Sequence, residues 1–291
     1  MNVLSLFNGM STGHTALDNV GIKVDKYYSS EIKPAAIKLT QHHYPDTIQV
    51  GDVTKWKEWD IDWKNIDMVL SGSPCQDLSI AGASSGKRLG LKGNRSSLFW
   101  IFVDILNHIK ELNPNVLFLQ ENVGSANVKD VGIMSRALGV YPVRINSSLV
   151  TAQMRDRYYW SNIRKNGSDY VKGRFDNSSN SVNSMYKNIS SVISMNGSGD
   201  YVEIFINVNT SSGTWRNVNQ ESLINRNNTT GMITLIEEEG YVRTCNKIEM
   251  CRLQGFKDNW CDILTTPQAG SLLGDGWTLP IIEHIFSYIE K

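Results

Sequence analysis

Short apolar runs alternate along the chain with stretches in which apolar residues recur every three or four positions. Val3-Leu4-Ser5-Leu6-Phe7 reads as a strand, followed after a small-residue turn by an amphipathic helix through Leu17 to Val20. A second strand spans Val24 to Ser30, a helix begins near Pro34, and Ile48-Gln49-Val50 forms a third strand. Ile66-Asp67-Met68-Val69-Leu70 is a short buried strand, and Leu98 to Ile109 a helix with an apolar stripe. Asn115 to Leu119 reads as the fifth strand, delivering Glu121 at its end. Lys129 to Leu138 is helical, Val143 to Val150 a strand, Arg243 to Leu253 a helix, and Leu279 to Ile289 a final helix. Strands alternating with helices predict an α/β fold, a sheet with helices on both faces.

From Ser161 to Gly240 the pattern changes. Asparagine and serine dominate, and apolar residues recur only in short runs such as Tyr201 to Ile206 and Met232 to Ile236. Short strands between polar turns predict a small β-rich module, with a flexible polar insertion as the plainer alternative. At 291 residues the chain holds one large domain, or one large and one small. The formal net charge is zero, which argues against indiscriminate binding of polyanions but leaves room for a local basic cleft. Cys75, Cys245, Cys251 and Cys261 show no CxxC pair and no metal-ligand spacing, so reduced thiols and no metal are expected. The start lacks the basic flank of a signal peptide, and no apolar run reaches membrane-spanning length. A soluble, cytoplasmic protein is expected, with no membrane contact.

Candidate chemistry sits where predicted strands end. Gly9-x-x-x-Gly13 after the first strand can bring backbone N–H groups close to a ligand, though it is not the dinucleotide fingerprint. Glu31 ends the second strand about twenty residues after that turn; it suits a ribose diol, or equally a helix N-terminus that favours negative charge. Asp52 follows the third strand. Cys75 follows the fourth, its direction held by Pro74. A lone cysteine is more often a small buried hydrophobe than a nucleophile. The loop after it, Ile80 to Arg95, carries Lys87, Arg88, Lys92 and Arg95 among many small residues, which suits a mobile flap over a phosphate backbone. In Gln153-x-Arg155-x-Arg157, alternation places the three polar side chains on one face if the segment is extended.

Pro74-Cys75-Gln76, Gln120-Glu121-Asn122-Val123 and Gln153-Met154-Arg155-Asp156-Arg157, in that order, resemble the DNA cytosine-5 methyltransferases. The resemblance runs from Leu4-Ser5-Leu6-Phe7-Asn8-Gly9 to Leu273-Gly274-Asp275-Gly276-Trp277, leaving out only about 161–240. It implies a Rossmann-like methyltransferase sheet binding S-adenosylmethionine through Phe7, Asn8, Gly9, Met10, Ser11, Thr12, Glu31, Asp52, Val53, Pro74, Leu98, Asp275, Gly276 and Trp277. Residues 1–160 would form the first part of the catalytic domain, 161–240 a target-recognition domain, and 241–291 the return to the catalytic domain. Cys75 would be the nucleophile, with Glu121, Arg155 and Arg157 as catalytic partners. Gln76, Ser79, Lys87, Arg88, Lys92, Arg95 and Gln153 would contact double-stranded DNA. The chain departs from the family at Ser5, where many relatives carry an acid, and at Asp275, where they carry asparagine or arginine. Both the Leu-Ser-Leu-Phe form and Trp277 are shared with the animal de novo cytosine methyltransferases.

The resemblance thus implies methyl transfer to a flipped-out cytosine by a monomeric bacterial or phage enzyme of the restriction–modification kind. A tRNA cytosine methyltransferase is one alternative, though the Cys-Phe-Thr signature of that branch is absent; a non-catalytic DNA-binding homologue is another, though Cys75, Glu121 and Arg155 are all kept.

Overall fold

The computed structural model describes residues 1–74, 98–163 and 245–290, together with the backbone of five short strands between residues 205 and 244. Two compact units emerge, one drawn from residues 1–145, 156–174 and 285–291, the other from 146–155 and 175–284.

The first unit is a seven-stranded sheet. Its strands are β1 (Asn2–Leu6), β2 (Lys26–Ser30), β3 (Ile48–Gln49), β4 (Met68–Ser71), β5 (Leu117–Val123), β6 (Val143–Asn146) and β8 (Asp156–Ser161), in the order β3-β2-β1-β4-β5-β8-β6. β3, β2, β1, β4 and β5 run parallel, and β8 pairs antiparallel with β5. Val3, Leu4, Leu6, Met68, Val69 and Leu70 are fully buried, as expected for central parallel strands covered on both faces. The helices are α1 (Thr12–Asn19), α2 (Pro34–His43), α3 (Leu98–Leu112) and α4 (Val128–Leu138). α3 buries Phe99, Phe102, Val103, Ile105, Leu106 and Ile109, the stripe its sequence predicts, against a core that includes Leu4, Val69 and Phe118. α2 starts on Pro34, whose missing N–H costs nothing in a first turn.

Local pattern misplaced several boundaries. β5 runs to Val123 rather than Leu119, because β8 pairs with it through Val123↔Arg157, so Glu121 lies inside the strand. The strand from Val143 stops at Asn146, whose side chain accepts from the Ser148 amide and turns the chain into a 3-10 turn, Ser147–Leu149. The extended segment predicted from Gln153 is interrupted at Arg155, between β7 (Gln153–Met154) and β8.

In the second unit β7 pairs with β11 (Leu223–Ile224), β9 (Phe205–Asn209) with β10 (Thr214–Asn217), and β12 (Thr234–Ile236) with β13 (Val242–Thr244). Arg243 therefore belongs to a strand and not to the predicted helix. α5 (Lys247–Leu253) starts later, where Asn246 and Glu249 cap each other's backbone at 2.9 Å in both directions. α6 (Thr266–Asp275), which the apolar pattern did not reveal, is capped the same way by Thr265 and Gln268. The last helix, α7, covers Leu279–Phe286 rather than continuing to Ile289.

Candidate active site

The parallel strand order reverses between β1 and β4: β2 and β3 follow on one side, β5 on the other. In open α/β sheets ligands bind outside the carboxyl ends of strands at such a switch point. Register makes the grouping concrete. Leu6 pairs with Ser71, and Ser71 with Gln120. The turn after β1, the chain leaving β4 toward Cys75, and Glu121 therefore leave one edge of the sheet, side by side at strand spacing.

Phe7, Gly9 and Ser11 in the first turn all have left-handed φ, at 56°, 58° and 60°. Only glycine adopts such values freely; for Phe7 and Ser11 they are stored strain, of a kind that concentrates at functional sites. The Gly9 amide donates to Glu31 Oε2 at 2.8 Å, while Glu31 Oε1 accepts from the Ile32 and Lys33 amides at 2.8 and 2.9 Å. Glu31 thus sits at the helix start, one of its two predicted settings, and in addition bonds the β1 turn. Oε2 takes one of these three bonds and keeps acceptor capacity. Asp52 caps the 3-10 turn Val53–Glu58, accepting from the Thr54 amide and hydroxyl at 2.9 Å each; these bonds hold its carboxyl below the usual carboxylate range. Asp52 is exposed and Val53 buried. Met10 and Thr12 are buried, and Leu98 packs on the core at the start of α3.

Ser73 organises the chain between β4 and Pro74. Its hydroxyl accepts from Gln120 Nε2 at 2.9 Å and from Asn122 Nδ2 at 3.3 Å, all three residues being buried. The pattern predicted none of these partners, although Gln120 and Asn122 flank Glu121 in the motif. Glu121 Oε1 pairs with Arg157 Nε at 2.9 Å, with side chains 10% and 13% exposed. Arg157 Nη1 also donates to the Asp156 carbonyl at 2.8 Å, which in turn accepts from the Gly124 amide at 2.9 Å. Asp156 forms an ion pair with Arg144, whose guanidinium lies over the Tyr158 ring.

In the second unit Arg155 is buried, and its two terminal nitrogens donate to the carbonyls of Gly274 and Gly276 at 2.8 Å each. The Arg155 carbonyl accepts from the Ser147 amide; Ser147 Oγ meets Thr278 Oγ1 at 2.8 Å, and Thr278 donates to Gln254 at 3.0 Å. Gln254 Nε2 closes this buried network on the Leu273 carbonyl. The loop of Asp275, Gly276 and Trp277 is thereby held from both sides by residues distant in sequence. Asp275 is exposed at the last position of α6, Trp277 half-buried, and Gln153 fully buried.

Cys75, Gln76, Ser79, Lys87, Arg88, Lys92 and Arg95 lie outside the described residues, as do the side chains between 164 and 244. The sequence reading did not single out Ile32, an apolar side chain 69% exposed directly after Glu31. Its signal in sequence is an apolar residue placed between an acid and a helix start. Among the described residues no group of three or more His, Cys, Asp or Glu could hold a metal ion, and no helix is long and apolar enough to cross a membrane.

This strand order, with an antiparallel strand beside β5, belongs to a fold shared with solved methyltransferase structures. The Entamoeba histolytica methyltransferase EhMeth has the same fold, with a TM-score of 0.63 at 17% identity over 99% of this chain and 97% of that one. Residues 1–138 match the family model of C-5 cytosine-specific DNA methylases, the family that the motifs resemble. Type II methyltransferase M.NgoBV of Neisseria gonorrhoeae is 36% identical over 124 residues, 41% of this chain and 27% of the relative. Orphan methyltransferase M.Rho11sI of Bacillus phage rho11s is 32% identical over 180 residues, 57% of this chain and 33% of the relative. The chain thus spans about a third or less of the length of these curated relatives.

Proposed function

We propose that this protein transfers a methyl group from S-adenosylmethionine to carbon 5 of a cytosine flipped out of duplex DNA, in the cytoplasm of a bacterial host. One observation carries the reading: the register Leu6–Ser71–Gln120 gathers the strained β1 turn, the approach to Cys75, and Glu121 at one sheet edge.

The crevice fits the cofactor by its donor set. The start of α1, directly after the β1 turn, offers first-turn backbone N–H groups, Glu31 Oε2 can accept from a ribose hydroxyl, Asp52 from an adenine amino group, and the exposed Ile32 can pack on an adenine face. When bound, S-adenosylmethionine supplies an electrophilic sulfonium methyl. The chain's own residues must make carbon 5 able to take it. A Cys75 thiolate adds to carbon 6 and turns the ring into a carbanion equivalent at carbon 5. Glu121, oriented through Oε1 by Arg157, holds a proton toward ring nitrogen 3 and disperses the charge that builds there. Loss of the carbon-5 proton to a base and β-elimination then release Cys75. Arg155 is assigned from its motif to favour the thiolate; within its own unit it fixes the 274–276 loop.

The target base must leave the stack, at a cost of about a few kcal/mol. Lys87, Arg88, Lys92 and Arg95, with Gln76, Ser79 and Gln153, are the residues assigned to hold the opened DNA, and the segment from about 161 to 240 is assigned to reading the site.

The test offers tritiated S-adenosylmethionine with duplex DNA and, separately, with tRNA. Label should enter DNA only, and Cys75→Ser should abolish transfer while still binding the cofactor. Wild-type protein, but not Cys75→Ala, should form a denaturation-resistant adduct with DNA carrying 5-fluorocytosine at the target. Turnover by Cys75→Ser, or no shifted band from an otherwise active enzyme, would refute the covalent mechanism.

A further inference from the structure

We propose that Tyr27 and Thr40, neither of which lies on the cofactor turn, are positioning residues that hold that turn in its ligand-binding shape. The inference rests on the cofactor reading above and concerns how the chain presents its backbone to that group.

Three left-handed φ values within five residues, two of them at non-glycine positions, persist only where the surroundings over-determine them. An ideal Cβ at Gly9 would come no closer than 3.9 Å to the Phe7 carbonyl, so dihedral preference and not crowding sets the requirement. What over-determines the turn is a buried polar knot. Asn8 Nδ2 donates to Ser11 Oγ at 2.8 Å and to Thr40 Oγ1 at 3.2 Å; Ser11 Oγ and Thr40 Oγ1 are 2.7 Å apart. Tyr27 Oη donates to Asn8 Oδ1 at 3.1 Å. Ser11, Thr40 and Tyr27 are at most 2% exposed and Asn8 9%. The side chains of Asn8 and Ser11, assigned from sequence to the cofactor, therefore spend their hydrogen bonds inward. Their amides are taken as well, by the Ser30 and Asn8 carbonyls at 3.2 Å each, so these two residues shape the turn. The far ends of the knot come from β2 and α2: Thr40 ties the turn to α2, and Tyr27 ties it to β2.

Tyr27 is itself immobilised. Its ring stacks on His14 with centroids 4.4 Å apart, and His14 stacks on Tyr44 at 3.8 Å. Tyr44 Oη donates to Thr15 Oγ1 on α1 at 3.1 Å. That bond is a matched control, a tyrosine hydroxyl in the same aromatic stack that is bonded to α1.

The experiment compares Tyr27→Phe, Thr40→Val, Thr40→Ser and Tyr44→Phe with the wild-type chain. It measures cofactor affinity by titration calorimetry, KM for S-adenosylmethionine and kcat at saturating DNA, and the thermal midpoint. Loss of the Tyr27 hydroxyl should raise Kd and KM for the cofactor about tenfold, the worth of one buried hydrogen bond, with kcat at saturation unchanged. Thr40→Val should act in the same direction, and Thr40→Ser, which keeps the hydroxyl, should restore affinity. Tyr44→Phe should lower the thermal midpoint while leaving KM as it was. Cofactor affinity unchanged in both Tyr27→Phe and Thr40→Val, or raised KM in Tyr44→Phe to the same extent, would overturn the positioning role. A wild-type chain that binds no S-adenosylmethionine would overturn the cofactor reading and this inference together, and shows before any variant is compared.

Discussion

Replacing Arg157 by leucine removes the cation that Glu121 faces at 2.9 Å while keeping most of the apolar stem. The two side chains are 13% and 10% exposed, so neither charge is well hydrated once the other is gone. Breaking a buried pair from one side typically costs about 3–5 kcal/mol, most of it the penalty of the charge left behind. The same substitution opens the Arg157–Asp156 carbonyl bond, adding about 1 kcal/mol. Arg157→Leu should therefore lower stability at neutral pH by about 4–6 kcal/mol. In Glu121→Gln/Arg157→Leu no buried carboxylate remains, and about half of that loss should return. Urea unfolding of the four proteins of the cycle yields the coupling energy without reference to activity. The neighbouring Arg144–Asp156 pair is the contrast. Its side chains are 55% and 33% exposed, and Arg144→Ala should cost no more than about 1 kcal/mol, and less in high salt. Additivity of the Glu121 and Arg157 substitutions within about 0.5 kcal/mol would refute the buried pair, and with it the orientation of Glu121 on which the proposed proton step depends.

Two glycines with left-handed φ should respond differently to alanine. At Gly255 (φ 82°) a Cβ would fall 2.3 and 2.7 Å from the Pro280 ring, so Gly255→Ala should cost about 2–6 kcal/mol; at Gly139 (φ 72°), with nothing within 4 Å, only the conformational cost of about 1 kcal/mol remains, and unfolding midpoints read the difference. Acid should weaken the fold in a defined window. Burial holds the His14 imidazole, between Tyr27 and Tyr44, below its ordinary 6.5 against the opposing pull of Asp18, and burial also lowers His284. The folded state thus binds fewer protons than the unfolded one, so this contribution is complete above about pH 6.5 and is lost as pH falls through the folded values. Asp25 and Asp52 are held below 3.8 and do not contribute until lower pH, so stability measured from pH 7 to 5 should fall, and less steeply in His14→Gln.

Sequence by itself determined the strands β1 and β4, the helix α3, and the order of the motifs that carry the family resemblance. These features are local: an apolar run covered on both faces, a 3.6-residue stripe, and residue types adjacent in the chain. Capping boxes at Asn246–Glu249 and Thr265–Gln268 were equally legible, since each spans three positions; the apolar pattern simply outweighed them. The partners of the site residues were not legible. Alternation treated Arg155 and Arg157 as equivalents, yet one bonds carbonyls 119 and 121 residues away and the other a carboxylate on β5. That Glu31 bonds the β1 turn as well as the helix start depended on β2 lying beside β1, and the length of β5 depended on its pairing with β8. Tyr27 and Thr40 have no motif at all; they gain a role only because β2 and α2 pack behind a strained turn. Each of these outcomes was decided in the tertiary structure, because a buried polar group takes the partner that the packed backbone brings within hydrogen-bonding distance, and separation along the chain does not enter.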